Sequence, residues 1–264
     1  MRKLKLSIVG YLNALPLSWG FIQKQAEDAF DLDFSPPSLC ADQIASGSVD
    51  IGLIPTIEYQ RIQGLKIIPD LAVAAKKSVR SVLLVSKIPV QQVKSIALDH
   101  SSRTSVVLLQ ILLQIRFNSN PILSLHEPVL SKMLMQHDAA LLIGDAALTA
   151  DIKGLHRYDL SEAWRDETGK PFVFAFWAAR ADSCLTDCNP FYESYCYGRT
   201  HMEEIVSQQS QKLSLPYEQV LSYLTECIDY SLDKENLEGL QLFYNLAKEF
   251  QLMDKIKGLD LIGP

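Results

Sequence analysis

The chain repeats one local pattern four times: an apolar run of strand length, a short polar or Gly/Pro turn, and a helix-like segment. The four copies are KLSIVG before YLNALPLSWGFIQ, VDIGLIP before TIEYQRIQ, KSIALD before HSSRTSVVLLQILLQI, and AALLIGD before AALTADI. This alternation predicts an α/β fold with largely parallel sheets. In such sheets ligands collect at the carboxyl ends of the strands, which is where the four turns lie.

Two further runs differ from this pattern. RSVLLVSK (80–87) and PFVFAFWAAR (171–180) are long, extended and rich in β-branched and aromatic residues. Between them lies a segment with its own strands and its own helix, which starts at Ser105 and ends at about Ile115. We interpret this segment as an inserted lobe and the two runs as strands that cross between the lobes as a hinge. The expected limits are residues 1–86 plus 176–264 for lobe I and residues 87–175 for lobe II.

The C-terminal third, from about Pro190, has the pattern of helices. Asp233 is a plausible N-cap of the last helix, and Pro216 suits the first turn of a helix over YEQVLSYLTECI. The last helix has apolar residues at 3–4 spacing, which predicts one buried face made of Leu237, Leu240, Phe243, Leu246, Ala247 and Phe250. We expect these helices to pack back onto the first lobe.

Composition excludes several classes of function. The 264 residues are 48% hydrophobic and carry a net charge of −6, which fits a soluble protein without a broad nucleic-acid surface. No apolar run reaches the roughly 18 residues of a membrane helix. The N-terminus has the early positive charges and the apolar stretch of a secretory signal, but it lacks a small-x-small cleavage site and a long unbroken apolar core, so we read it as a strand and a turn. The chain is therefore expected to be cytoplasmic and to have no membrane partner.

Cofactor motifs are missing from the sequence as well. The five cysteines are odd in number and match no zinc or iron–sulfur spacing, so we expect free thiols and no metal. The chain has neither GxGxxG nor GxxxxGK[ST], so a nucleotide cofactor is not expected. The sequence leaves the oligomeric state open.

HSSRTS, residues 100–105, is the strongest local signal for a binding site. It places three serines, a threonine and an arginine before a long apolar helix, whose first N–H groups lack backbone partners. Hydroxyl groups and a guanidinium at this position favour a carboxylate or a phosphate. The alternative is a simple helix cap with a solvated arginine. The candidate binding residues are Ser101, Ser102, Arg103, Thr104 and Ser105.

Other candidates lie at the remaining strand ends. Gly144 allows a ligand to approach the backbone, and Asp145 either caps the following helix or orients a ligand hydroxyl. Ser81 either hydrogen-bonds a substrate or is an ordinary strand residue, and Glu58 either complements a helix dipole or acts as a base. Asn13, a polar residue in an apolar turn, either satisfies its own backbone or faces the cleft.

Taken in order, these segments resemble a known family. YLNALPL, VDIGLIPTIEY, RSVLLVSK, LDHSSRTSVVLL, AALLIGDAAL and PFVFAFWAAR are similar to the chorismate dehydratases of the futalosine route to menaquinone. The similarity spans about residues 4–180 and implies a two-lobe clamp like the type II periplasmic binding proteins. It also implies a cofactor-free dehydration of chorismate to 3-[(1-carboxyvinyl)oxy]benzoate, in which Asn13 and Ser81 take part in catalysis.

Two rival functions remain on this sequence evidence. The first is a cytoplasmic binding protein for small anions, with the same fold but no catalysis. The second is a sister enzyme of the same pathway, which acts on the cyclised nucleoside intermediate. SSRTS and PFVFAFWAAR fit the dehydratase better than the sister enzyme.

Overall fold

The computed structural model describes residues 2–23 and 28–263. Its strands are β1 (Leu4–Val9), β2 (Phe30–Ser35), β3 (Ile51–Pro55), β4 (Leu65–Ala75), β5 (Val82–Ser86), β6 (Ser95–Asp99), β7 (Ile122–His126), β8 (Ala139–Ile143), β9 (His156–Asp159), β10 (Phe172–Arg180) and β11 (Asp229–Leu232). Its α-helices are α1 (Leu15–Ile22), α2 (Pro37–Ser46), α3 (Thr56–Arg61), α4 (Thr104–Phe117), α5 (Leu130–Gln136), α6 (Gly144–Thr149), α7 (Leu160–Thr168), α8 (Asn189–Thr200), α9 (Met202–Leu213), α10 (Tyr217–Ser222) and α11 (Lys234–Glu249). All four predicted strand–turn–helix units are confirmed.

The strands form two sheets, each the centre of one lobe. The first sheet has the order β11-β4-β10-β3-β1-β2, and the second has the order β7-β6-β8-β5-β9. The pairs β1–β2, β1–β3, β6–β7 and β6–β8 are parallel. Each parallel group therefore directs its carboxyl ends to one edge of its sheet, and these edges face each other across the cleft.

Both sheets are mixed, so the prediction of largely parallel sheets is wrong. β10 runs antiparallel to β3 and β4, β11 runs antiparallel to β4, and β5 runs antiparallel to β8 and β9. The physical reason is connectivity. Both passages cross at the cleft, where the parallel strands end, so β5 and β10 start at that edge and run back antiparallel to β8 and β3.

The chain passes between the sheets twice, through residues 76–81 and residues 169–171. The runs RSVLLVSK (80–87) and PFVFAFWAAR (171–180), which were expected to cross between the lobes, each begin within one of these passages. As a strand, however, β5 pairs only within the second sheet and β10 only within the first. If each lobe is defined by its sheet, the chain changes lobe a few residues before the expected limits at 86/87 and 175/176.

One carboxylate holds the first passage in place. Asp159 accepts hydrogen bonds from Ser78 Oγ at 2.7 Å, from Val79 N at 3.3 Å and from Arg80 N at 2.7 Å. Arg80 has a φ of +60°, a left-handed conformation that non-glycine residues rarely adopt. This anchored turn determines where Ser81 enters the second sheet.

The C-terminal region is mainly helical, as predicted. Asp233 caps α11 by accepting a hydrogen bond from Asn236 N at 2.9 Å, and Leu240, Phe243 and Ala247 lie on its buried face. The region also contributes β11, which the sequence reading did not foresee, to the edge of the first sheet. Helices α8 and α11 pack against α1 and β10, so this region belongs to the first lobe.

The helix predicted to follow Pro216 is shorter and changes type. α10 ends at Ser222, and a π-helical turn continues over Tyr223–Cys227. The wider π turn matters for the site described below because it places Tyr223 in the interior. Over the described ranges, no helix is both long and apolar enough to cross a membrane. All five cysteines carry free thiols.

Candidate active site

A cavity lies between the two sheets, at the carboxyl ends of β1, β3, β6 and β8, where strand order predicts a ligand. The space between its walls measures about 540 Å³, including space open to solvent. The described residues that line it are Val9, Tyr11, Asn13, Ala14, Pro37, Leu53, Pro55, Val73, Val82, Ser101, Ser102, Arg103, Thr104, Ser105, Ile143, Gly144, Phe174 and Ala175. The wall is therefore apolar with polar groups concentrated at the start of α4.

Asp145 joins the two lobes beside the cavity. Its Oδ1 accepts a hydrogen bond from Leu12 N, in the turn after β1, at 2.9 Å. It makes no cap hydrogen bond to α6, which already begins at Gly144, so of the two alternatives the structure excludes the cap. Its role with a ligand hydroxyl stays a prediction. Burial raises the pKa of Asp145, and the Leu12 N–H only partly opposes this shift.

Gly144 lies where the backbone is most crowded. Its φ is +57°, and a Cβ at this position would lie 2.5 Å from the ring of Tyr11. Its N–H donates to the backbone carbonyl of Ser81 at 2.8 Å. The group that approaches Gly144 in the structure is the aromatic ring of Tyr11, and the approach of a ligand stays a prediction.

Ser101 belongs to a hydrogen-bonded chain that ends at a buried carboxylate. Its Oγ donates to Asp99 Oδ1 at 2.6 Å, and its backbone N–H donates to the same atom at 2.9 Å. Tyr11 Oη lies 3.0 Å from Ser101 Oγ. Because a serine hydroxyl has one proton, Tyr11 is the donor in this last contact. Ser101 therefore offers the cavity only an acceptor, which does not suit an anion.

Ser102 differs from Ser101 because no other described residue holds its side chain by a hydrogen bond. Its Oγ is buried and has no hydrogen-bond partner, although the residue lines the cavity and is only 5% exposed. Ser105, the second residue of α4, also lines the cavity. A buried hydroxyl without a partner is costly, and at the start of a helix the Ser102 hydroxyl can donate to an anionic acceptor.

Thr104 and Arg103 connect α4 to the first lobe. Thr104 Oγ1 accepts a hydrogen bond from Ile57 N, in the first turn of α3, at 3.2 Å. Arg103 Nη2 lies 2.8 Å from both carboxylate oxygens of Asp42, and its Nη1 lies 3.1 Å from Glu58 Oε2. Both residues border the cavity, but their polar groups are bound by protein atoms across the cleft.

These contacts change what the sequence suggested for two charged residues. The Arg103 guanidinium is held by two protein carboxylates and is not simply a solvated arginine, and its binding of a ligand carboxylate stays a prediction. Glu58 is buried and pairs also with Arg61 at 2.7 Å, so it acts in a charge network rather than as an isolated base or a mere dipole partner.

Of Asn13 and Ser81, only Asn13 lines the cavity. Ser81 is wholly buried. The hydroxyl of Tyr223 donates a hydrogen bond to Ser81 Oγ at 2.8 Å. Burial raises the pKa of Tyr223 far above its usual range, so its hydroxyl stays protonated.

The described part of the cavity wall contains few ionisable side chains. Among the described lining residues, only Tyr11 and Arg103 carry titratable side chains, and no carboxylate or imidazole is present. Burial raises the pKa of Tyr11. The wall can therefore donate hydrogen bonds and hold an anion near α4, but it offers no basic group at neutral pH.

Three residues with hydrogen bonds to the candidate site residues were not identified from the sequence. Tyr11 is the first residue of the motif YLN and Asp99 directly precedes HSSRTS, so their positions at strand ends were a usable signal. Tyr223 lies 142 residues from Ser81 in an apolar helical stretch, and no local pattern distinguishes it.

The two sheets, the double passage and the cleft cavity define a protein with the periplasmic-binding-protein fold. An Archaeoglobus fulgidus protein matches with a TM-score of 0.79 at 15% identity, covering 95% of this chain and 98% of that one. The periplasmic aliphatic sulphonate binding protein SsuA of Escherichia coli matches with a TM-score of 0.65 at 16% identity, covering 99% and 96%. These likenesses confirm the predicted fold class.

The chain belongs to the menaquinone biosynthesis family, whose model matches residues 4–249. The chorismate dehydratase of Thermus thermophilus is 27% identical over 263 residues, covering 92% of this chain and 94% of the relative. The chorismate dehydratase of Campylobacter jejuni is 25% identical over 250 residues, covering 92% and 97%. The resemblance found in the sequence is therefore confirmed at the level of the family.

Proposed function

We propose that this chain is a chorismate dehydratase, a hydro-lyase that converts chorismate to 3-[(1-carboxyvinyl)oxy]benzoate and water and acts in the cytoplasm. The observation that carries the proposal is the unpartnered Ser102 hydroxyl at the start of α4, in the residues that line the cleft cavity. The family and the two dehydratase relatives support the same conclusion.

Chorismate is a dianion, and the start of α4 suits one of its carboxylates. The first N–H groups of a helix have no backbone acceptor and carry partial positive charge. Ser102 adds a hydroxyl without a partner, and Ser105 adds a second hydroxyl on the cavity side. Arg103 acts indirectly in this arrangement, since its ion pairs with Asp42 and Glu58 hold α4 against the first lobe.

The reaction itself needs little chemical assistance from the protein. A ring C–H bond breaks and its electrons form a ring double bond, while the ring hydroxyl leaves with a proton as water. The ring becomes aromatic, which supplies a large driving force. The protein mainly has to favour this path over rearrangement or loss of the side chain, and one fixed conformer in a dry cavity does so.

Asn13 and Ser81 belong to this catalysis in different ways. Asn13 lies in the cavity wall, so its amide can hydrogen-bond the leaving hydroxyl or the charge that develops on the ring. Ser81 is wholly buried and accepts a hydrogen bond from Tyr223. Neither residue is basic at neutral pH.

We propose that a carboxylate of chorismate accepts the ring proton. The described lining residues include no carboxylate or imidazole that could serve as the base. An analogue without the side-chain carboxylate should therefore bind but react far more slowly. Turnover of this analogue at the full rate would refute the hypothesis.

The direct test is to mix the purified protein with chorismate and follow the product by mass. Loss of about 18 mass units supports the dehydratase. Binding without turnover would instead support the small-anion binding protein, and turnover of only the cyclised nucleoside would support the sister enzyme. Asn13→Ala should lower kcat more than it weakens binding, because the proposed hydrogen bond strengthens in the transition state.

A further inference from the structure

Asn13 lies in a tight turn that its own backbone closes. It is the middle residue of the 3-10 turn Leu12–Ala14, shortly after β1 of the first sheet. Ala14 N donates to Tyr11 O at 3.0 Å across this turn. A movement of Tyr11 therefore moves the backbone of Asn13, which lies two residues away.

The second lobe holds this turn at two consecutive residues. Tyr11 Oη lies 3.0 Å from Ser101 Oγ. Leu12 N donates to Asp145 Oδ1 at 2.9 Å. Ser101 follows β6 and Asp145 follows β8, so both partners lie at strand ends of the second sheet. The position of Asn13 relative to the second lobe therefore depends on contacts that cross the cleft.

The Tyr11 side chain is held by the second lobe at both its hydroxyl and its ring. Ser101 gives its one hydroxyl proton to the buried Asp99, at 2.6 Å, so Tyr11 must donate to Ser101. Burial raises the pKa of the Tyr11 phenol, which keeps this proton in place at neutral pH. The ring lies against Gly144, where a Cβ would be 2.5 Å from a ring carbon. Tyr11 therefore has one defined orientation on the second lobe.

The groups that the proposed reaction uses are divided between the lobes. Ser102 and Ser105, which are proposed to bind a carboxylate, belong to the second lobe, whereas Asn13 belongs to the first. All three line the same cavity. Their relative position matters, because a misplacement of about 1 Å between a substrate and a catalytic group can lower the rate about 100-fold.

We propose that Tyr11 is a positioning residue, which aligns the Asn13 amide with a substrate bound by the second lobe. The hydrogen bond from Tyr11 to Ser101 sets the distance between the turn after β1 and the start of α4, where the substrate carboxylate binds. Tyr11 does not donate to the substrate in this role, since its proton goes to Ser101. This inference rests on the proposed function and deepens it, because it assigns the alignment of a two-lobe site to one side chain.

The test compares Tyr11→Phe with Tyr192→Phe in a chorismate turnover assay. Tyr192 is a matched control because it is also half-buried and its hydroxyl donates to Pro69 O at 3.0 Å, within the first lobe. Tyr11→Phe should lower kcat about 10- to 100-fold, because Asn13 is no longer aligned. It should change KM by less than about threefold, because the carboxylate site is unchanged. Tyr192→Phe should keep both constants.

Ser101→Ala tests whether the hydrogen bond itself is responsible. It removes the acceptor of the Tyr11 proton, so it should lower kcat to a similar degree, and the double variant should be no slower than the slower single one. Losses of kcat that multiply in the double variant, or a Tyr11→Phe protein with the wild-type kcat, would overturn the inference. A wild-type protein that does not dehydrate chorismate would instead overturn the proposed function, so the two failures are distinguishable.

A second substitution covers the case in which Tyr11→Phe does not fold, as judged by its Tm. Replacing Tyr11 with 4-aminophenylalanine keeps an N–H donor at the same place on the ring. We expect a kcat within about threefold of wild type, because donation to Ser101 is preserved. Loss of turnover at an unchanged Tm would contradict the proposed role.

Discussion

Ser102→Ala is the variant for which the structure makes the sharpest prediction, because it should affect stability and binding in opposite directions. The Ser102 hydroxyl is buried without a partner at the start of α4. The adjacent Ser101 hydroxyl is bound on both sides, donating to Asp99 at 2.6 Å and accepting from Tyr11 at 3.0 Å. The two neighbouring serines therefore form a matched pair with opposite expectations.

The stability change follows from the cost of burying a polar group. A buried hydroxyl without a hydrogen bond costs about 1–3 kcal/mol, and alanine removes this cost while leaving only a small void. We therefore expect the free energy of unfolding of Ser102→Ala to stay equal or to rise by about 1–2 kcal/mol. For a chain of this size that is a rise in Tm of roughly 2–8 °C, at about 2–4 °C per kcal/mol.

The binding change follows from the proposed contact with a substrate carboxylate. A hydrogen bond to a charged group contributes about 1.5–3 kcal/mol, and each 1.4 kcal/mol is about tenfold in Kd. Ser102→Ala should thus weaken chorismate binding roughly 10- to 150-fold. Ser101→Ala should instead lower the free energy of unfolding by about 1–3 kcal/mol, since Asp99 loses a buried donor.

Calorimetric titration with chorismate and thermal unfolding of the unliganded protein measure the two effects separately. A Ser102→Ala protein that binds chorismate as tightly as wild type would refute the assignment of the carboxylate site. A loss of stability equal to that of Ser101→Ala would refute the view that the Ser102 hydroxyl lacks a partner in the free protein.

Three other variants test the contacts around the cavity. Gly144→Ala should lower the free energy of unfolding by at least about 1–2 kcal/mol for the left-handed backbone, and by more for the clash with Tyr11. Gly154→Ala is the control, because Gly154 has a φ of +78° and a Cβ there would meet no atom within 4 Å. Equal losses of stability for the two variants in urea unfolding would exclude the clash. Arg103→Ala should raise the Kd for chorismate and enlarge the radius of gyration in X-ray scattering, because the lobes lose two ion pairs; an unchanged radius would argue against this role. Burial raises the pKa of Asp145, so its contribution to the free energy of unfolding is present below its ordinary pKa and is lost as pH rises through the folded pKa. Asp145→Asn should remove this loss of stability with rising pH. A variant whose stability depends on pH as the wild type does would contradict the prediction.

The sequence by itself determined the local elements and the general place of the site. Strand-length apolar runs, turn residues and helical periodicity act over a few residues, so they predicted β1, β3, β6 and β8 and the start of α4. Because ligands collect at the carboxyl ends of such strands, the same patterns indicated Asn13 and the segment 100–105 as parts of the cleft.

Only the tertiary structure decided which atom of the site has which partner. Ser101 and Ser102 are identical in type and adjacent in sequence, yet one is bound to Asp99 and the other is unpartnered. Arg103 meets Asp42 across 61 positions, and Ser81 meets Tyr223 across 142. The physical reason is that hydrogen bonds and ion pairs depend on distances of a few ångströms between distant segments, and packing of the two lobes sets those distances.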